Sequence, residues 1–321
     1  MKTINAGVIL KNPRPKAADA SKTLLHRIRV NYDLYLFILL PMLYILIFHY
    51  YPMYGVQIAF KDFAASKGIW GSPWVGFEHF KRFFDSYYFW NLIKNTLGIS
   101  LYSLVVGFPM PIILALMLNE VKNQMFKKTV QMITYAPHFI STVVIAGMII
   151  IFCSPSSGII NRITSVFGYE PVAFMEKAEW FKSIYVFSGV WQTTGWNTII
   201  YIAALSGIDP GQYEAAKIDG ASRFQRLWHV SLPGIMQTIT ICLILNSGSI
   251  MSVGFEKAFL LQNHLNLDSS EIISTYVYKV GLTQAQYGFS AAVGLFNSVI
   301  NFILLIIVNS VSRRLSDTSL F

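Results

Sequence analysis

The sequence predicts an all-α integral membrane protein with six transmembrane helices. Of its 321 residues, 54% are hydrophobic and only 13% are charged, against about a quarter charged in ordinary soluble domains. The charges are also segregated. Asp, Glu, Lys and Arg are absent from six stretches of at least 25 residues: 34–60, 95–119, 129–161, 183–208, 227–255 and 280–312. Each exceeds the ~20 helical residues that cross a hydrocarbon core of about 30 Å. No segment alternates apolar and polar residues for long, as a membrane barrel strand of about ten residues would. Since every backbone group in lipid needs an internal partner, the helix remains.

Taken in order, residues 1–32 are expected to be a basic cytoplasmic arm. Its Lys11, Arg14, Lys16, Lys22, Arg27 and Arg29 suit a solvated segment near anionic lipid headgroups. The first apolar run has no small-residue cleavage pattern after it, so it reads as an anchor rather than a removable signal. The membrane domain is expected over 33–315, with spans near 34–53, 95–118, 130–152, 183–206, 235–255 and 288–311, and a short tail at 316–321. Between the first two spans Gly68, Gly71, Pro73 and Gly76 mark a loop. Phe77, Phe80 and Phe84 then recur at helical spacing, a short helix lying either in the interface or against the bundle. Pro41, Pro109, Pro111 and Pro137 interrupt three spans, where kinks are tolerated if neighbours satisfy the freed carbonyls. Cys153 and Cys242 make neither a disulfide framework nor a metal set and read as buried thiols.

Six spans put both termini on one side. That side carries 15 Lys and Arg against 7 Asp and Glu, and the other side 10 against 9. The basic excess marks the cytoplasm. The net charge of +9 therefore reflects topology, and no nucleic-acid partner is expected.

The densest local signal lies between the fourth and fifth spans, over 209–233. Asp209 is an N-cap, Pro210 suits the first helical position, and Gln212 completes a capping-box pattern. Gly220 offers a left-handed stop. Ser222 can cap a second short helix with Phe224, Leu227, Trp228 and Ser231 along one face, which Pro233 ends. Ala215 and Ala216 leave a surface of low relief. By pattern alone this is either an ordinary capped loop or a place where another protein approaches closely.

The order Glu214-Ala215-Ala216, Asp219-Gly220-Ala221, Phe224, Leu227 and Leu232-Pro233 resembles the EAA motif of the permease subunits of bacterial ATP-binding-cassette (ABC) importers. Tyr51-Pro52-Met53-Tyr54-Gly55, Gly68-Ile69-Trp70-Gly71-Ser72-Pro73-Trp74-Val75-Gly76 and Tyr135-Ala136-Pro137-His138-Phe139-Ile140-Ser141 extend the likeness to the oligosaccharide and polysaccharide type, from about residue 30 to the end. Val230 and Gly234 depart mildly from the motif, which often has Ile and a bulky apolar residue there. The resemblance implies a cytoplasmic EAA coupling helix between the fourth and fifth spans, with Glu214, Ala215, Ala216, Asp219, Gly220 and Ala221 in the ATPase-coupling element. It also implies a second permease subunit, commonly in a heterodimer, two ATPase subunits, and a periplasmic or extracellular solute-binding protein. The setting is the bacterial cytoplasmic (inner) membrane. The implied solute is an oligosaccharide, with a uronate oligomer such as one from alginate among the candidates. A peptide or amino acid is the alternative.

No Walker A pattern occurs, so ATP and Mg belong to the partner ATPase subunits and no cofactor is expected on this chain. Ion coupling inside the membrane lacks its carboxylates. An intramembrane enzyme lacks its machinery, since His49, His138 and His229 stand in no ligand or nucleophile spacing. What remains for a solute path is neutral: Gln192, Trp196 and Asn197 in the fourth span, Asn246 in the fifth, Asn297 and Asn301 in the sixth. Ser290, Gly294, Asn297 and Asn301 fall on one helix face. Amides and aromatic faces suit hydroxyl-rich sugars; the same residue types also hold membrane helices together.

Overall fold

The computed structural model describes His26 and residues 28–315. The basic arm through residue 25, together with Arg27, and the tail at 316–321 lie outside the described residues. The described residues are helical, and their only β-pairing is an isolated bridge between Lys61 and Trp74. The chain divides into two units, 1–57 and 58–321.

The first unit is dominated by α1, Tyr32–Phe60, which runs on slightly into the second. It is apolar on every side, and no part of its apolar window is buried. A helix of that kind, with Phe37 and Leu40 largely exposed, belongs in lipid. Its ladder loosens into a π turn at Leu46–Tyr50 and tightens to 3₁₀ at Tyr54–Phe60.

The second unit begins with a clasp in which Asp62 N donates to Pro73 O and Val75 N to Phe60 O. Its helices are α2 Glu78–Phe84, α3 Phe89–Glu120, α4 Gln124–Phe139, α5 Thr142–Phe152, α6 Ile159–Val166, α7 Ala178–Ser206, α8 Pro210–Ile218, α9 Arg223–Gly234, α10 Met236–Ser247, α11 Phe255–Leu261, α12 Ile273–Tyr278 and α13 Tyr287–Leu315. The short phenylalanine helix α2 takes the second of its two expected placements. Phe83 and Phe84 pack their rings on Phe296 of α13, 5.4 and 5.6 Å between centroids. Three apolar clusters form the core. One joins Ile99, Ile145, Ile149, Phe181 and Val186, the second Phe83, Leu92, Phe289 and Val293, and the third Ile112, Leu116, Tyr201 and Ile235. Cys153 is buried in the first, and Cys242 is half-buried against the third.

Three helices, α1, α3 and α13, are long and apolar enough to cross a membrane, and there are five candidates if the bent pairs α4/α5 and α9/α10 each count as one. The stretch expected as a single span over 130–152 is broken by 101° between α4 and α5. Pro137 lies in the 3₁₀ turn that ends α4, and Ser141 starts the next helix by accepting from Val144 N at 3.4 Å. The stretch expected over 235–255 also ends early, at Ser247, and continues as turns. By contrast α7 is 29 residues long and straight through its uncharged stretch, yet its amides and hydroxyls make it too polar to count as apolar.

Helix α7 is the hub, shared between the first and third clusters. Its closest approach is to α4, where a Cβ on Gly195 would collide with the Thr134 carbonyl. Overpacking of this kind costs about 1–3 kcal/mol. Gly195→Val is therefore expected to lower the thermal midpoint of the purified protein in detergent, whereas Gly147→Ala, with open space around it, leaves it unchanged.

Candidate functional site

Helices α3 and α7 run parallel. The Tyr102 hydroxyl meets Ser183 Oγ at 3.5 Å, and further along a Cβ on Gly107 would touch Val190 at 3.7 Å. Helix α10 and the turns after it run the opposite way: Cys242 packs into the cluster of Tyr201, and Gly254 O accepts from the Tyr185 hydroxyl at 3.3 Å. Between these three elements lies a cavity of about 760 Å³, the size of a small-molecule site. Tyr185 and Tyr201, sixteen positions apart, set a length of about 24 Å along α7 at 1.5 Å per residue.

Its polar lining comes from Ser100 and Ser103 on α3, Thr193, Trp196 and Asn197 on α7, Asn246 on α10, and Ser249 and Ser252 in the turns after it. Asn197 makes no hydrogen bond within the described residues, so its amide is available in full. Asn246 spends one donor on Cys242 O at 2.8 Å and keeps its carbonyl. Trp196 stacks on His138 at 4.4 Å with the ring planes 3° apart, and Phe139 braces it edge-on at 5.5 Å. That grip fixes the indole at the edge of the cavity it lines. A rigid aromatic face beside free amides matches the alternating apolar faces and hydroxyl edges of a sugar ring.

Of the residues expected on a solute path, Trp196, Asn197 and Asn246 come together on this cavity. Gln192, Asn297 and Asn301 are not among its lining. Gln192 Nε2 instead donates to Ile140 O at 3.4 Å, at the break between α4 and α5. Asn301 accepts from Met251 N at 2.8 Å and donates to Ser252 Oγ at 2.9 Å, bracing the turns after α10. Asn297 Oδ1 is buried without a partner. Ser100 and Ser103 were not expected; their only signal is two hydroxyls three residues apart in an otherwise apolar span.

The segment 209–233 is organised by local capping. Asp209 Oδ1 accepts from Gly211 N at 3.0 Å and opens α8. The capping box forms at the second helix rather than the first: Ser222 N donates to Gln225 Oε1 at 2.7 Å and Gln225 N to Ser222 Oγ at 3.3 Å. Gly220 makes the turn between them at φ +77°, where a side chain is strained. Glu214, Ala215, Asp219 and Gly220 are exposed, while Ala216 and Ala221 are half-buried. Ala216, Asp219, Gly220 and Ala221 border a shallow pocket of about 310 Å³ with Gln225 and His229. Phe224 and Trp228 stack at 6.3 Å and stand exposed, apolar surface of the sort a partner covers. Arg226 reaches back to Ala221 O at 2.8 Å and to Glu120, at the end of α3, at 4.0 Å.

With this geometry in view, residues 107–317 match the family model of the binding-protein-dependent transport system inner membrane component. The chain belongs to this family. It is a transport permease subunit of an ABC importer, an inner-membrane component and not an enzyme. The polygalacturonan/rhamnogalacturonan transport system permease protein YteP of Bacillus subtilis (strain 168) is 41% identical over 303 residues, 94% of each chain. Protein LplB of the same organism is 43% identical over 288 residues, covering 90% of this chain and 91% of its own. Among solved structures, a chain of a bacterial alginate ABC transporter in complex with an alginate pentasaccharide-bound periplasmic protein superposes with a TM-score of 0.85 at 41% identity, over 92% of this permease and 99% of that chain. The all-helical fold is thus that of an ABC permease.

Asn301 bridges α13 to a bent stretch of backbone, and removing its side chain strands the Met251 amide. An orphaned buried donor costs about 1–3 kcal/mol. Asn301→Ala is expected to lower the thermal midpoint of the purified permease, as measured by thermal unfolding in detergent.

Proposed function

We propose that this permease conducts a uronate-containing oligosaccharide across the bacterial cytoplasmic membrane, delivered by an external solute-binding protein and driven by two partner ATPase subunits that hold the ATP and Mg. The observation that carries the reading is the cavity itself, with the free Asn197 amide and the braced Trp196 on α7 and Asn246 on α10. The saccharides named for its relatives, polygalacturonan and rhamnogalacturonan for one and alginate for another, favour a sugar over a peptide or amino acid. Each contains uronic acids.

In this reading α7 is the sixth crossing, added to α1, α3, α13 and the two bent pairs. It can be polar because its polar residues border a cavity rather than lipid. Both termini then lie in the cytoplasm, on the side of 209–233. Glu214, Ala215, Ala216, Asp219, Gly220 and Ala221 form the docking surface for an ATPase. The rigid α8, the tight Gly220 turn and the Arg226–Glu120 link pass its motion to the end of α3. A second, non-identical permease completes the pathway.

Two experiments test this. In proteoliposomes holding the reconstituted transporter and its binding protein, Asn197→Ala combined with Asn246→Ala is expected to reduce oligouronate uptake by about ten-fold, the loss of one to two hydrogen bonds' worth of recognition; uptake at the wild-type rate in a correctly assembled variant removes the cavity from the path. For the docking surface, Gly220→Val with Glu214→Lys is expected to release the ATPase subunits during purification. Retained co-purification together with solute-stimulated ATP hydrolysis argues against that assignment.

A further inference from the structure

We propose that Lys257, together with Lys182 and Lys94, forms a basic collar at the Tyr185 end of the cavity that receives the carboxylates of an anionic solute and selects it over a neutral one. The inference rests on the uronate reading above and adds the residues that would recognise the charge.

Lys257 is the key residue. On α11 it is only 7% exposed, and buried lysines are ordinarily paired with a carboxylate. This one is not. Its ammonium donates to Tyr185 O at 2.9 Å and lies 4.8 Å from the centre of the Tyr185 ring. The ion pairs among the described residues are Arg226–Glu120 and Lys279–Glu271, both elsewhere. Burial lowers its pKa to about 8, which still leaves about nine in ten molecules charged at pH 7. The chain therefore maintains a desolvated positive charge with only neutral partners.

The placement relates that charge to the cavity. Lys257 Nζ lies 3.4 Å from where a Cβ on Gly189 would stand, and Gly189, Tyr185 and Gly254 all line the cavity. The glycine leaves no side chain between the ammonium and that wall. One turn before Val186 on the same helix, Lys182 sets its ammonium 3.2 Å from the Cβ position of Gly98, next to the lining residue Ile99. Lys94, one turn before Gly98, lies within electrostatic reach of Lys182. Lys182 stands behind Gly98 and Lys257 behind Gly189, just outside the residues that line the cavity. Of the nearby carboxylates, Glu179 and Glu256 are exposed, Asp268, whose backbone meets Asn95, is exposed and in no ion pair, and Glu271 is held by Lys279.

Lys182 and Lys94 repel one another, and Lys257 holds its charge away from water; an anion arriving beside them relieves both costs. A neutral sugar gains nothing from such an arrangement. The collar lies at the end of α7 farthest from Asp209, so under the proposed topology it faces the compartment from which the binding protein delivers.

The test uses the complete transporter with its binding protein in proteoliposomes and pentagalacturonate as the probe. Lys257→Met with Lys182→Met is expected to reduce initial uptake by about ten-fold and to flatten its dependence on salt, while Lys257→Arg restores most of the rate. A purely structural lysine would leave the salt dependence of the residual uptake as in the wild type. Variants that take up pentagalacturonate at the wild-type rate with unchanged salt dependence overturn the collar and leave the uronate reading standing. A wild-type transporter that imports a neutral pentasaccharide but not pentagalacturonate overturns both. If Lys257→Met prevents co-purification of the ATPase subunits, Lys182→Met with Lys94→Met, at half-buried and exposed positions, carries the same comparison and the same expected loss of rate and salt dependence.

Discussion

A peptide group inside a membrane has no water to turn to, and an unpartnered N–H or C=O there costs several kcal/mol. This constraint explains both where the chain is regular and where it is not. At two places where the protein gives up a helical ladder, side chains take over. At the break after Pro137 the Ser141 hydroxyl caps the new helix and Gln192 donates to Ile140 O. At the turns after Ser247, Asn301 accepts the Met251 amide. The polar residues of the spans are thus divided between two tasks, holding bent backbone and lining a cavity, and their chemistry alone does not say which.

Helix α7 shows how the two tasks coexist on one element. Gln192 braces a break, Trp196 and Asn197 border the cavity, and Gly195 between them lets α4 approach to backbone contact. Polarity that would be intolerable in lipid is acceptable because protein and cavity surround it. The bent pairs serve the same end: the 101° break at the end of α4 places His138 and Phe139 where they grip the Trp196 ring.

The segment between α7 and α10 obeys different physics. Through Arg226 it lies outside the uncharged stretches, so water can satisfy its backbone there, and its caps and turns come from contacts within a few residues. Asp209, Gly220 and Ser222 act as their types predict, and the one departure is local, with Gln225 rather than Gln212 closing a capping box. Arg226 ties the segment to Glu120 at the end of α3, and Leu227 and Leu232 pack against the third apolar cluster.

The sequence by itself determined the helical membrane class, the caps and turns of 209–233, and the family, because each depends on the order of neighbouring residues: charge-free runs, N-cap and stop residues, and motif spacing. Trp196, Asn197 and Asn246 could be named as polar residues in spans. Only the tertiary structure decided that these three share a cavity while Asn301 braces a turn, since both roles use the same amide and differ only in what lies across from it. The serines of α3 and a buried Lys257 with no carboxylate partner were likewise invisible along the chain. A lysine just beyond an uncharged stretch reads as an ordinary loop charge until the packing of α11 on α7 removes its water and supplies no carboxylate.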